Sequence, residues 1–274
     1  MSSVNRRVLP GFALSLGYTL VYLGILVLIP LAACFAKAST LSVSGFWGAI
    51  WTARSRAAYA LTFGTSLVAA VLDVGLGLLI AWVLVRYEFP GKRLFDALID
   101  LPFALPTAVA GLVYSSLYVK NGWLGQYLVP LGIELAYTRW AIVWVLTFVG
   151  LPFAVRTIQP VLEDFEHEQE EVAATLGATR WQTFRRVILP TLYSAILTGF
   201  ALSFARGLGE YGSVVFVSGN MPLRTEIAPV LIVARLEEFA YGEATAIAVV
   251  LLVVSFVMLI TINWLERWSK RHEA

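Results

Sequence analysis

Residues 57–85 read AAYALTFGTSLVAAVLDVGLGLLIAWVLV, and Asp73 is the one charge among them. A stretch this long and this apolar reaches across a bilayer, because a spanning helix needs about 20 mostly apolar residues. The pattern recurs along the chain. Uncharged runs cover 8–36, 101–119, 140–155, 187–205, 211–223 and 244–265. Over 274 residues, 59% are hydrophobic and 14% charged, with a mean hydropathy of +0.77. Soluble domains carry roughly 25% charged residues, and a globule of this size could not hide so much apolar surface. In lipid the backbone must satisfy its own hydrogen bonds, so the expected fold is all-α, a polytopic helical membrane protein. Six transmembrane helices are expected near 12–36, 58–85, 98–119, 139–159, 191–217 and 244–265, in one transmembrane domain over 1–274. A soluble enzyme, a nucleic-acid binder and a disulfide-rich secreted domain are excluded.

A net charge of +2 gives no reason to expect nucleic acid or an acidic partner. The one cysteine, Cys34, leaves no internal disulfide, and with His167 and His272 as the two histidines no metal site is expected. Arg6 and Arg7 precede an apolar stretch ending in Leu31-Ala32-Ala33-Cys34, which imitates a lipoprotein processing box. A cleavable signal has an apolar region of about 7–15 residues, shorter than 8–36, so an uncleaved first helix is expected. Orientation follows from Lys and Arg in the loops. One side would hold Arg6, Arg7, Arg86, Lys92, Arg93, Arg156, Arg180, Arg185, Arg186, Arg267, Lys270 and Arg271. The other would hold Lys37, Arg54, Arg56, Lys120, Arg139, Arg224 and Arg235. The richer side, with both termini, is expected to be cytoplasmic.

Two spans carry features that a plain lipid-facing helix does not need. Asp100-Leu101-Pro102-Phe103-Ala104-Leu105-Pro106 places two prolines four apart where the third span begins. Each removes a backbone donor and disfavours helix before it, so a kink or loose turn is expected there. It either packs as a kinked helix or lines a cavity with its freed carbonyls. In the fifth span Ala201, Ala205, Gly209 and Ser213 recur every four residues, a strip suited to close helix packing. Beside it Arg206 and Glu210 are also four apart and able to meet on one face. A charge in mid-membrane costs about 2.5–3.5 kcal/mol on insertion scales, so the two form a structural ion pair or line a pathway. Asp73 poses the same problem with no partner visible in the sequence.

The segment 160–190 is more than a connector. Its acidic first half, Glu163 to Leu176, suits a helix, and Gly177 suits the left-handed residue that closes one. Thr179 with Gln182 forms a capping box for a second helix, in which Trp181, Phe184, Val187 and Ile188 recur at helical spacing until Pro190 ends it. The expected product is a rigid helix-glycine-helix protrusion. An amphipathic hairpin resting on headgroups fits less well, because the first arm is acidic and the inner leaflet is negative.

Glu171-Val172-Ala173, three residues, Gly177, nine residues, then Val187-Ile188-Leu189-Pro190 resembles the EAA loop of bacterial ABC-importer permeases. That pattern is Glu-Ala-Ala, three residues, Gly, nine residues, Ile, one residue, Leu-Pro; Val172 and Val187 depart from it by small apolar exchanges. Arg6 to Phe12, Arg86 to Lys92, Asp100 to Gly111, Leu208 to Gly212 and Phe216 to Asn220 are similar to blocks of the sulfate/thiosulfate branch, the CysT type. The CysW-type sister subunits and the molybdate/tungstate permeases share several of these blocks. The resemblance implies a type I ABC importer permease fold in the bacterial inner membrane, importing a tetrahedral oxyanion. It implies a second, CysW-like permease subunit as heterodimer partner, two cytoplasmic ABC ATPases and a periplasmic sulfate/thiosulfate-binding protein. Glu171, Ala173, Gly177, Val187, Leu189 and Pro190 would then contact the ATPase. No Gly-x4-Gly-Lys-Ser/Thr phosphate loop occurs in the chain, so no cofactor is expected on it, no catalysis of its own, and ATP with Mg belongs to the partner. An ion-coupled secondary transporter could use Asp73, Arg206 and Glu210 but gives the EAA-like loop no purpose; a scaffold without transport leaves the buried charges unexplained.

Overall fold

The computed structural model describes residues 12–270, so Arg6, Arg7, Arg271 and His272 lie outside the described residues. All regular structure among them is helical. The chain opens with α1 (Phe12–Leu23), a π-helical turn over Gly24–Leu28 and α2 (Ile29–Ala38), which run on as one spanning helix. Then come α3 (Val43–Ile50) and α4 (Ala53–Arg86), the latter 34 residues and about 50 Å long. Next are α5 (Lys92–Ile99), α6 (Leu101–Ala104), α7 (Thr107–Tyr118), α8 (Gly125–Leu128) and α9 (Arg139–Glu163). The second half holds α10 (His167–Thr175), α11 (Arg180–Thr183), a π turn over Phe184–Ile188 and α12 (Leu189–Leu208). It closes with α13 (Val214–Val217), α14 (Ala228–Glu237) and α15 (Tyr241–Lys270).

Helices α4, α9 and α12 form the centre. Small residues let them approach: a Cβ on Gly77 would stand 2.8 Å from the Cβ of Ala154, and one on Gly199 3.2 Å from the Cα of Ala154. Around that contact Val155, Ile158, Leu162, Ile188 and Leu192 pack at one end of the bundle, and Ile142, Val145, Val214 and Val217 at the other. The outer helices keep their apolar side chains outward, with Leu14, Leu28, Phe256 and Ile260 exposed as lipid-facing residues must be.

Five helices among the described residues are long and apolar enough to cross a membrane, over Leu14–Ala38, Ala53–Arg86, Arg139–Glu163, Arg180–Leu208 and Tyr241–Ile262. The expected third span, 98–119, is not one of them. It is divided into α5, α6 and α7, with Leu105 and Pro106 extended between the last two (ψ 132° and 129°). The kink read from Pro102 and Pro106 is therefore a full break. α7 alone is 12 residues, about 18 Å, too short to span.

Two further boundaries differ. Pro190 does not end the second arm, which runs through the π turn straight into α12. Widening that turn lets the Leu189 N–H reach the Phe184 carbonyl, and Pro190 falls in the first turn of the next α segment, where a missing N–H costs nothing. The same device precedes Pro30, where the Ile29 N–H reaches Gly24. The fifth span, expected to reach 217, stops at Leu208. Ala201 and Ala205 belong to α12, but Gly209 caps its end and Ser213 precedes α13, so the four-residue strip does not continue as one helix face.

Candidate functional site

At one end of the bundle, 160–190 forms the expected hairpin with one change. α9 runs on to Glu163, and the first arm is the separate, shorter α10. Its end is a Schellman closure: the Gly177 N–H bonds to the Ala174 carbonyl and the Ala178 N–H to the Ala173 carbonyl, each at 3.0 Å. Gly177 has φ +81°, which a side chain tolerates poorly, although nothing within 4 Å would meet its Cβ. Thr179 caps α11: its hydroxyl accepts the Gln182 N–H at 3.3 Å, while the Gln182 side chain accepts the Thr179 N–H at 2.8 Å. Ala173 is buried, as is Ile188 against the bundle, with Val187 and Leu189 half-buried and Pro190 exposed. Glu171 is exposed, as are Val172 (58%), Leu176 (83%) and Trp181 (66%). The hairpin thus ends in an acidic, partly apolar knob at a rigid turn.

The second site lies where two interrupted helices meet inside the bundle. α12 stops at Leu208, and the chain turns through Gly209–Ser213 into α13, which packs on α7 just beyond the Pro106 break. Close approach leaves little room for a side chain at either glycine. A Cβ on Gly111 would lie 2.2 Å from the Ser213 carbonyl oxygen, and one on Gly212 would lie 2.3 Å from Thr107 Oγ1. Ser115 Oγ reaches the Phe216 carbonyl at 2.7 Å and pins the two pieces together.

Arg206 and Glu210 meet there, Nη1 to Oε2 at 2.5 Å, although Glu210 stands past the helix end. The other carboxylate oxygen of Glu210 accepts both the Ser213 N–H and the Ser213 hydroxyl at 2.9 Å. Glu210 is 2% exposed and fully engaged, so it organises the turn into α13 as well as pairing with arginine. The Arg206 side chain is 32% exposed and presents cationic surface beside the break.

Asp73 stands apart from that pair. It is fully buried midway along α4 next to Ser203, and among the described residues neither carboxylate oxygen has a hydrogen bond of good geometry. Its space comes from Gly150 of α9, where a Cβ would fall 2.0 Å from Asp73 Oδ2. Beside it Ser203 of α12 donates to the Gly150 carbonyl at 3.0 Å. Thus the three intramembrane charges named from the sequence form one pair and one separate carboxyl.

Sequence reasoning missed three arginine grips. Arg156 of α9 uses all five N–H groups: on Asp96 Oδ1 (2.6 Å), the Asp96 carbonyl (2.8 Å), both oxygens of Asp100 (2.9 and 2.7 Å) and Gln159 (2.8 Å). It thereby fixes α5 and the start of the broken span. Arg54 is bidentate on Glu226, at 2.7 and 2.6 Å. Arg86 pairs with Glu170. The acidic partners are separated from their arginines by dozens of residues or more, so no local spacing announces them.

The model of the family described as "Binding-protein-dependent transport system inner membrane component" matches residues 73–271. The chain belongs to this family. It is 50% identical over 255 residues to the sulfate transport system permease protein CysT of Synechococcus elongatus, covering 93% of this chain and 92% of that one. To the protein of the same name from Escherichia coli K12 it is 47% identical over 268 residues, 97% of each. Among solved structures it is similar to a bacterial ABC transporter that imports the acidic polysaccharide alginate, with a TM-score of 0.77, 17% identity and coverage of 93% and 94%. At that identity the likeness supports the fold alone, and it agrees with the type I permease architecture expected from the EAA-like loop.

Proposed function

We propose that this chain is a membrane-spanning permease subunit of an ATP-driven importer for sulfate or thiosulfate, contributing to the anion's path. The observation that carries the reading is identity of 47–50% to sulfate permeases over nearly the whole of both chains. The geometry supports it at both sites. The 160–190 hairpin offers Glu171, Ala173, Gly177, Val187, Leu189 and Pro190 as a rigid element for a cytoplasmic ATPase to engage; on this reading that end and both termini would face the cytoplasmic side of the inner membrane. The ATPase would bind ATP and Mg, and this subunit would do mechanical work without catalysis of its own. A sister permease subunit would complete the path, and a periplasmic protein would deliver the anion. Arg206, tempered by Glu210, supplies positive potential beside the broken helices without the tight binding that blocks release.

The test uses the full complex in proteoliposomes with labelled sulfate. Uptake should need ATP on the hairpin side, continue when ion gradients are collapsed, and compete with thiosulfate more than with molybdate. Uptake driven by an ion gradient without ATP would instead favour the secondary-transporter reading, and preference for molybdate the sister permease family. A reporter fused after Ala274 should lie inside and one within 120–138 outside.

A further inference from the structure

Helix α4 ends in an arginine that the hairpin encloses. The Arg86 guanidinium is ion-paired with Glu170 of α10, and its Nη1 lies 3.0 Å from His167 Nδ1. Arginine has no acceptor, so His167 receives that bond through an unprotonated Nδ1. The same guanidinium lies over the rings of Trp82 at 5.1 Å and Phe165 at 5.9 Å, and its side chain is 12% exposed. The second arm reaches the same turn of α4: Phe184 stands edge-on to Trp82 at 5.6 Å and stacks on Trp181 at 5.6 Å. Both arms therefore converge on residues 82–86. At the other end of α4, Arg54 holds Glu226, which is 4% exposed and lies just before α14. Between the two ends runs one unbroken helix without proline. The other central helices each carry a local irregularity: α9 contains Pro152 and Pro160, and α12 continues from a π turn with Pro190 in its first turn.

We propose that α4 is the rod carrying the hairpin's movement through the membrane, with Arg86 gripping Glu170 at the inner end and Arg54 gripping Glu226 at the outer end. Arg86 and Arg54 are positioning residues that touch neither anion nor nucleotide. An unbroken helix transmits displacement without bending, and an ion pair buttressed by rings moves as a unit with whichever partner is pushed. The proposal rests on reading the hairpin as the ATPase contact.

The experiment measures uptake and ATP hydrolysis together in the reconstituted complex, with and without substrate-loaded capture protein. Arg86→Gln and Glu170→Gln should leave the subunits co-purifying and basal hydrolysis intact. Anion moved per ATP should fall roughly tenfold, within the range common for coupled sites. The double variant should be no worse than either single one, because one link is cut twice. Arg54→Gln should lower stimulation by the capture protein at the opposite face. Arg86→Lys should give an intermediate loss, keeping the charge but not the planar stacking. If Arg86→Gln does not fold, Glu170→Gln, on a partly exposed helix, is the variant read. An unchanged ratio of uptake to hydrolysis in a folded variant overturns the rod, as do additive losses in the double variant or loss of co-purification. Uptake by wild-type complex without any ATPase would instead overturn the underlying reading.

Discussion

Two glycine turns divide this chain, and they need glycine for different reasons. At Gly177 the need is conformational: φ is +81° and the space around the missing Cβ is empty. At Gly111 and Gly212 the need is room, because another backbone or side-chain atom already lies 2.2–2.3 Å from where a Cβ would stand. The first turn is closed by its own neighbours in sequence. The second exists only because α7 and the Gly209–Ser213 turn are pressed together from distant parts of the chain. One is a local device that can move as a unit, the other a junction that cannot loosen without opening the bundle.

The largest expected effect is at the junction. Gly111→Ala drives a methyl into the Ser213 carbonyl, and neither backbone can retreat within the packed core; overpacking of this kind costs about 3 kcal/mol or more. Folded yield by size exclusion in detergent should fall severely. Gly64→Ala, with nothing within 4 Å, should be tolerated at the same assay. Equal yields would show that the junction is looser than these distances.

Second in size is Glu210→Ala, which strands the buried Ser213 N–H and hydroxyl and frees Arg206; an unsatisfied buried group costs about 1–3 kcal/mol. Arg206→Gln should cost less, since Arg206 is one-third exposed while Glu210 keeps its Ser213 bonds. The charge swap sharpens the comparison further. A pair that is only an ion pair would survive Arg206→Glu with Glu210→Arg, but arginine offers no acceptor to Ser213. Folded yield should therefore not be restored by the swap. Restoration would mean that the turn does not depend on residue 210 as an acceptor.

The contrast also explains what could be read in advance. Gly177, Thr179 and Gln182 lie within six positions of one another, and their hydrogen bonds follow from spacing alone. Asp100 to Pro106 likewise announced an interruption, because proline acts on its own helix. Pro190 misled for the same reason: its local effect is to break a helix, and the π turn before it that repairs the break is not written in residue type. The end of α12 at Leu208 was hidden because Arg206 and Glu210 at four-residue spacing meet whether or not the helix continues. The partners of Arg156, Arg86 and Arg54 are set by tertiary packing, as is the vacancy at Gly150 that receives Asp73.

Third comes Gly177→Val. With no atom to clash against, the cost is confined to holding a branched residue at positive φ, about 1–2 kcal/mol. The bundle does not depend on this turn, so insertion and folded yield should hold near wild type. The strain should instead redirect the second arm, weakening co-purification with the ATPase and uptake. Normal uptake at normal expression would remove the hairpin from the coupling path.

The smallest effect belongs to Thr179→Ala. Its hydroxyl accepts the Gln182 N–H at 3.3 Å, a long bond in an exposed position, so water can replace part of what is lost. Loss of an N-cap costs about 1 kcal/mol. The reciprocal bond from the Thr179 N–H to the Gln182 side chain does not need the hydroxyl and should remain. Ile188 and Phe184 would still pack the second arm on the bundle. Hydrogen exchange should therefore quicken at residues 180–183 and leave 189–208 unchanged, with uptake only slightly lowered. If protection through α12 falls as well, the second arm and the spanning helix share one folding unit, and the hairpin is no more local than the junction it was set against.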